Sequence, residues 1–244
     1  MTDLLGLPYS PWSEKARWAL DARHVPYTSR LYQPLIGEPA LRVKLRRLRG
    51  RVTVPVLTTD DGRVLADSVE IARWADQQGD GPRLFPREQE AAIERFVDLS
   101  ERGLTAGRAL SLARMLHDEE ALGEMVPRPL RRVLGPLSPR LGGLGIRRTL
   151  RKYDGDANDE TAHRHALRAV LDEIRASLAG RRTLLGTFTF ADIATAQVLA
   201  FVEPPGAGLK LKPSSRRCFA DPELRPQYAD LIAWRDELYR TYRG

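Results

Sequence analysis

The chain has little cysteine, histidine or methionine, and no long apolar run. Cys218 is the only cysteine among 244 residues. A lone cysteine excludes an internal disulfide and a cysteine metal cluster. The four histidines do not supply a metal site instead. His163 and His165 lie two apart on a predicted helix, so they point to different faces. No metal is expected. No stretch approaches the roughly 20 apolar residues that a membrane-spanning helix needs. The first residues carry Asp3 and show neither a basic segment nor the apolar core of a signal peptide, so the expected location is cytoplasmic. Phosphate loops of the Walker or dinucleotide type are also missing.

Acid is missing from one segment. Residues 127–152 hold Arg128, Arg131, Arg132, Arg140, Arg147, Arg148, Arg151 and Lys152, with no carboxylate. The segment contributes +8 to a total of +7, so the rest of the chain sums to −1. Basicity is therefore local. No aromatic is interleaved before Tyr153, and nucleic acid is not an expected partner.

What is present is a globular composition, 42% hydrophobic and 29% charged, long enough for one large domain or two modest ones. The pattern is most informative from Leu4 to Leu20. A short apolar strand is followed by a proline-bounded turn and an amphipathic helix. Ser10 stands where an N-cap belongs and Pro11 at the first helical position, where its missing N–H costs nothing. Trp12, Ala16, Ala19 and Leu20 share an apolar face. Glu14 and Arg17, three apart, are expected to pair on the wet side. A hydroxyl at a helix N-terminus faces unpaired N–H groups and the positive end of the dipole, a place that holds an anion such as a thiolate. On this stretch alone the plain-cap reading of Ser10 is the favoured one.

A second strand at 27–32, a short cationic helix at 38–49 and a strand at 52–59 follow. Asp60-Asp61-Gly62 is a hairpin turn leading to a returning strand at 63–66. Asp67-Ser68-Val69-Glu70 opens a helix with capping-box spacing. The order is βαβ-α-ββα. Residues 79–87 read as a linker, so the expected division is 1–78, a linker, and a helical part over 88–244. That part is predicted to hold helices at 88–116, 163–178 and 189–202, a loop at 203–222 and a helix from 224 to 242. The basic stretch at 127–152 is rich in proline and glycine and reads as a solvated insertion.

Four features in this order resemble the glutathione transferase family. They are Ser10-Pro11 with Lys15-Ala16-Arg17, then Thr53-Val54-Pro55, Asp67-Ser68, and Thr189 with Asp192 three residues on. The resemblance implies a thioredoxin-like α/β N-terminal domain followed by an all-α domain. It implies glutathione as co-substrate, a small electrophile as second substrate, and a homodimer. It places Ser10 as the group that activates the glutathione thiol, with Tyr9 as rival, since another branch of the family uses a tyrosine at the strand end. Val54 and a cis Pro55 would pair with the peptide. Asp67 would accept from the γ-glutamyl ammonium, and Ser68 would hold its carboxylate. Trp12 would line the electrophile pocket or pack in the core. One of the cations at 42–51 would meet the glycyl carboxylate. Thr189 and Asp192 are assigned to folding.

Two departures from the family pattern stand out: the insertion at 127–152 and a long approach to Pro55. The alternative reading is a non-catalytic protein of the same fold that docks an acidic protein or an anionic membrane surface through residues 127–152. A glutaredoxin-like disulfide reductase is disfavoured, because Ser10 and Ser13 occupy the positions where that chemistry needs cysteines.

Overall fold

The computed structural model describes residues 1–34, 36–152 and 159–243; Tyr153 lies outside them. Strand β1 (Asp3–Gly6) leads to helix α1 (Pro11–Ala22), β2 (Thr28–Leu31), α2 (Glu38–Lys44), β3 (Val56–Thr58), β4 (Val64–Leu65) and α3 (Ser68–Gln78). The sheet order is β2-β1-β3-β4. β1 runs parallel to β2 and antiparallel to β3, and β4 is antiparallel to β3. Alternate strand residues point to opposite faces, which sorts the core. Leu4 and Leu57 meet Ala16, Leu20, Ile71 and Ala75 of α1 and α3 on one face. Val56 meets Tyr32, Leu41 and Val52 on the other. The βαβ-α-ββα order is as the sequence predicts.

The remainder is helical: α4 (Glu90–Leu116), α5 (Glu119–Glu124), α6 (Arg128–Leu134), α7 (Ser138–Lys152), α8 (Glu160–Leu178), α9 (Phe190–Ala196), α10 (Pro213–Phe219), α11 (Leu224–Gln227) and α12 (Ala229–Tyr242). Its core takes in Trp18 and Ala19 of α1 and Ala72 of α3, so the two parts share one apolar cluster. The Trp18 indole lies 4.3 Å from the Tyr239 ring and donates to the Tyr242 carbonyl at 3.1 Å, tying α12 to α1. No described helix is long and apolar enough to cross a membrane.

The structure corrects several expectations. Residues 127–152 are not a loop. Pro129 lies in the first turn of α6, Pro136 opens a short 3-10 turn and Pro139 is the second residue of α7. Proline at these positions starts helices, because the N–H it lacks has no partner there anyway. The predicted loop at 203–222 contains α10, and the predicted C-terminal helix is divided at Tyr228. Glu14 and Arg17 do pair, at 2.7 Å, but Glu14 is fully buried. The end of the chain covers it, and Arg243 Nε donates to Glu14 Oε1 at 2.7 Å. A contact 229 residues away in sequence leaves no local periodicity to read.

Close packing of α7 on α5 explains one of its glycines. A Cβ on Gly142 would stand 2.0 Å from the Leu122 carbonyl oxygen, whereas one on Gly145 would meet nothing within 4 Å. Opposite signs follow for two equal substitutions. Gly142→Ala is expected to destabilise by about 1–3 kcal/mol, through overpacking against backbone that cannot step aside. Gly145→Ala is expected to stabilise by up to about 1 kcal/mol, through helix propensity. Urea unfolding of the two variants checks this; equal effects would exclude tight α5–α7 packing.

Candidate active site

Three chain reversals emerge at one end of the sheet. β1 ends at Gly6 and leads through a turn to Ser10. Leu5 pairs with Val56, so the start of β3, just after Pro55, lies beside the end of β1. Leu65 pairs with Leu57, so β4 also ends there and hands the chain to Asp67 and Ser68. Antiparallel register thus gathers Ser10, the Val54–Pro55 bond and Asp67-Ser68, which are 57 or 58 residues apart at the extremes of sequence. The Val54–Pro55 peptide bond is cis.

Ser10 is the N-cap of α1, with extended backbone. Its Oγ accepts from the Ser13 N–H at 3.4 Å, a long bond, and it remains half-exposed. The hydroxyl proton is left to donate elsewhere. Tyr9 precedes it in the turn and is half-buried. The turn is held from three sides. The Leu7 N–H donates to Ser13 Oγ at 3.1 Å, Arg17 donates to the Leu7 carbonyl at 3.2 Å, and the Lys210 N–H donates to the Pro8 carbonyl at 2.9 Å. The last bond brings the segment before α10 against the site.

Asp67 caps α3, accepting from the Val69 N–H at 2.7 Å, and its side chain is exposed. Glu70 reaches back to the Ala66 N–H at 2.9 Å, one residue beyond the Asp67 N–H of the expected box. Ser68 is buried, and its Oγ has no hydrogen-bond partner among the described residues. A buried hydroxyl without a partner is uncommon and asks for an explanation.

Trp12 is half-buried and held against α4. Its Nε1 donates to Glu101 Oε2 at 2.7 Å, and the Arg108 guanidinium lies 4.7 Å from its ring centre. Glu101 also accepts from Lys15 Nζ at 2.7 Å, and Lys15 donates to Ser100 Oγ at 2.8 Å. Lys15 is completely buried, and burial pushes its ammonium below the ordinary lysine range against the opposing pull of Glu101 and Asp67. This lysine pins α1 to α4 beneath the site. The sequence showed it only as part of a motif. Glu101, on another helix, had no such signal.

The cations of 42–51 divide. Arg42 pairs with Glu38 at 2.8 Å and Lys44 donates to Thr58 Oγ1 at 2.7 Å. Arg46, Arg47, Arg49 and Arg51 are exposed. From α7, Lys152 donates to the Val52 carbonyl at 2.8 Å, two residues before Val54, and Arg148 approaches Glu38 at 3.6 Å. The insertion thus touches the approach to Pro55. Cys218 is buried, and burial with the Asp118 carboxylate pushes its thiol up to about 11, which leaves it unreactive. Thr189 and Asp192 form a capping box at the start of α9, the folding role expected of them.

Two family models match this sequence. Glutathione S-transferase, N-terminal domain, matches residues 9–78, and Glutathione S-transferase, C-terminal domain, matches residues 156–237. A probable glutathione S-transferase from Solanum tuberosum is 30% identical over 94 residues; the match spans 38% of this chain and 42% of that relative's length. Among solved structures, a glutathione S-transferase from Methylobacillus flagellatus with glutathione bound is similar at TM-score 0.64 and 18% identity, over 99% of this chain and 95% of the other. A glutathione transferase family member from Pseudomonas fluorescens Pf-5, also with glutathione bound, is similar at TM-score 0.63 and 20% identity, over 98% and 95%. At these identities the two structures speak for the fold.

Proposed function

From the premise that this chain belongs to the glutathione transferase family, we propose that it binds glutathione at the end of the sheet and activates its thiol for attack on, or reduction of, a small electrophile. The observation that carries the reading is the convergence of Ser10, Val54–Pro55 and Asp67-Ser68 at one sheet end, with Ser68 Oγ left without a hydrogen-bond partner among the described residues. Asp67, exposed and anionic, accepts from the γ-glutamyl ammonium. The Ser68 hydroxyl and the N-terminus of α3 receive the carboxylate beside it. Val54 offers its backbone groups to the peptide, as a strand edge does. Lys152, brought to the Val52 carbonyl, joins the cations of 42–51 as a candidate for the glycyl carboxylate.

Ser10 donates to the sulfur while the N-terminus of α1 supplies a favourable field. A free thiol has a pKa near 8.5. Lowering it by two units corresponds to about 2.7 kcal/mol in favour of the thiolate. Trp12 of α1, with the Arg108 guanidinium of α4 over its ring, lines the pocket where the electrophile enters. The same site reads residues 1–78 as the glutathione-binding domain and the helical part as the wall of the second pocket, with a homodimer as the assembly.

Calorimetric titration with glutathione tests the proposal. A dissociation constant in the micromolar-to-millimolar range of ordinary substrates is expected. In the same complex, thiolate absorbance against pH should titrate below the value in free glutathione. No binding at millimolar glutathione would turn the assignment to a non-catalytic protein of this fold.

A further inference from the structure

The basic insertion is an ordered pair of helices with an unusual outer surface. One stripe of α7 is buried: Ser138, Gly142, Gly143, Ile146 and Leu150 pack inward. The opposite stripe, with the turn before it, exposes Leu137, Arg140, Leu144, Arg147, Arg148 and Arg151. α6 adds Arg132 and Val133. The apolar members are well out in solvent, Val133 at 83%, Leu144 at 63% and Leu137 at 51% exposure. Burying such side chains is favourable by about 25 cal/mol per Å², so their exposure is a cost that an acceptor surface would remove. No acid interrupts this surface between residues 127 and 152.

We propose that α6 and α7 form a peripheral docking surface for an anionic phospholipid bilayer. The occupant follows from complementarity. A bilayer interface offers negative headgroups over hydrocarbon, and this stripe offers arginines interleaved with leucine and valine. A second copy of the chain does not fit, because a two-fold contact sets the same patch against itself, and here that puts Arg132, Arg140, Arg147, Arg148 and Arg151 against the same five arginines. Nucleic acid fits poorly, because the stripe holds no aromatic side chain on which a base could stack. The patch adjoins the exposed Val43 of α2 and Arg46, Arg47 and Leu48 beyond it, since Arg148 and Lys152 both approach Glu38. The test of this inference stands apart from glutathione chemistry, because Arg132, Arg140 and Arg147, the cations it replaces, are not among those proposed to hold glutathione.

Co-sedimentation with vesicles tests it. The full chain is expected to bind vesicles of phosphatidylglycerol and phosphatidylcholine, to ignore phosphatidylcholine alone, and to release as salt shortens the screening length. Arg132→Gln with Arg140→Gln and Arg147→Gln should lower the partition coefficient on the order of a hundredfold, at about fivefold per cation. Val133→Ser with Leu137→Ser and Leu144→Ser keeps every charge and should still lower it at least about tenfold. Circular dichroism and glutathione titration check that both variants remain folded. Three results overturn the proposal. They are no binding to anionic vesicles at low salt, binding that the serine variant leaves untouched, and polyglutamate competing with vesicles as well for the serine variant as for the parent. The last would identify an acidic protein as the partner.

Discussion

Ser10→Ala is expected to lower turnover of glutathione with an electrophile by roughly ten- to a hundredfold, while glutathione affinity stays nearly unchanged. One charge-assisted hydrogen bond to the thiolate is worth typically about 1.5–3 kcal/mol, and that energy sets the factor. The bound thiol should titrate at higher pH in the variant. Loss of the cap is a small complication. A good N-cap contributes about 1 kcal/mol, but the Ser10 bond to the Ser13 N–H is 3.4 Å long, so the stability change should fall at the low end of about 0.5–2 kcal/mol. The rate effect is therefore separable from folding. Tyr9→Phe is the control, since it removes the neighbouring hydroxyl and leaves the cap. Turnover of an electrophile panel, read beside thiolate absorbance against pH, decides between the two. A shift with Tyr9→Phe and none with Ser10→Ala would pass the role to Tyr9.

The largest stability effect is expected at Asp192. Its carboxylate is fully buried and accepts from the Leu184 N–H at 2.8 Å and from the Thr189 N–H at 2.9 Å. Asp192→Ala leaves two buried N–H donors unpaired, at about 1–3 kcal/mol each, and frees the Thr189 hydroxyl that donates at 3.3 Å, against some relief from desolvating a carboxylate. A net loss of about 2–4 kcal/mol at pH 7.5 follows. The pH dependence has a definite sign. Burial raises this carboxyl to about 6 from an ordinary value of 3.8. The folded state thus favours the protonated form. Its contribution to stability is complete below the unfolded pKa and falls as pH rises through about 6. The substitution should therefore cost more at pH 5 than at pH 7.5, by about 1 kcal/mol. Urea unfolding of both proteins at the two pH values measures it. A cost that grows with pH would show that the carboxylate, not the acid, is the form the fold prefers.

The alternation of Leu4 and Leu5, the Pro11 helix start, the Asp60-Asp61-Gly62 turn and the caps at Ser10, Asp67 and Thr189 are all local signals. Each is set within a few residues by backbone sterics or by the need to satisfy a helix end. The sequence by itself therefore determined the element order of the sheet region and the residues at its reversals. The family resemblance rested on the same local marks. Proline misled the reading of 127–152, because composition does not distinguish a proline that ends a helix from one that begins it. Charge misled the reading of α1. Glu14 was expected on the wet side and is fully buried because Arg243 arrives to pair with it, and Lys15 beside it is fully buried because Glu101 and Ser100 arrive. Those partners lie 85 to 229 residues away. Only the tertiary structure decided that burial, together with the meeting of Lys152 with the Val52 carbonyl. Pairing a buried charge takes a partner from another element, and no local pattern encodes which one comes.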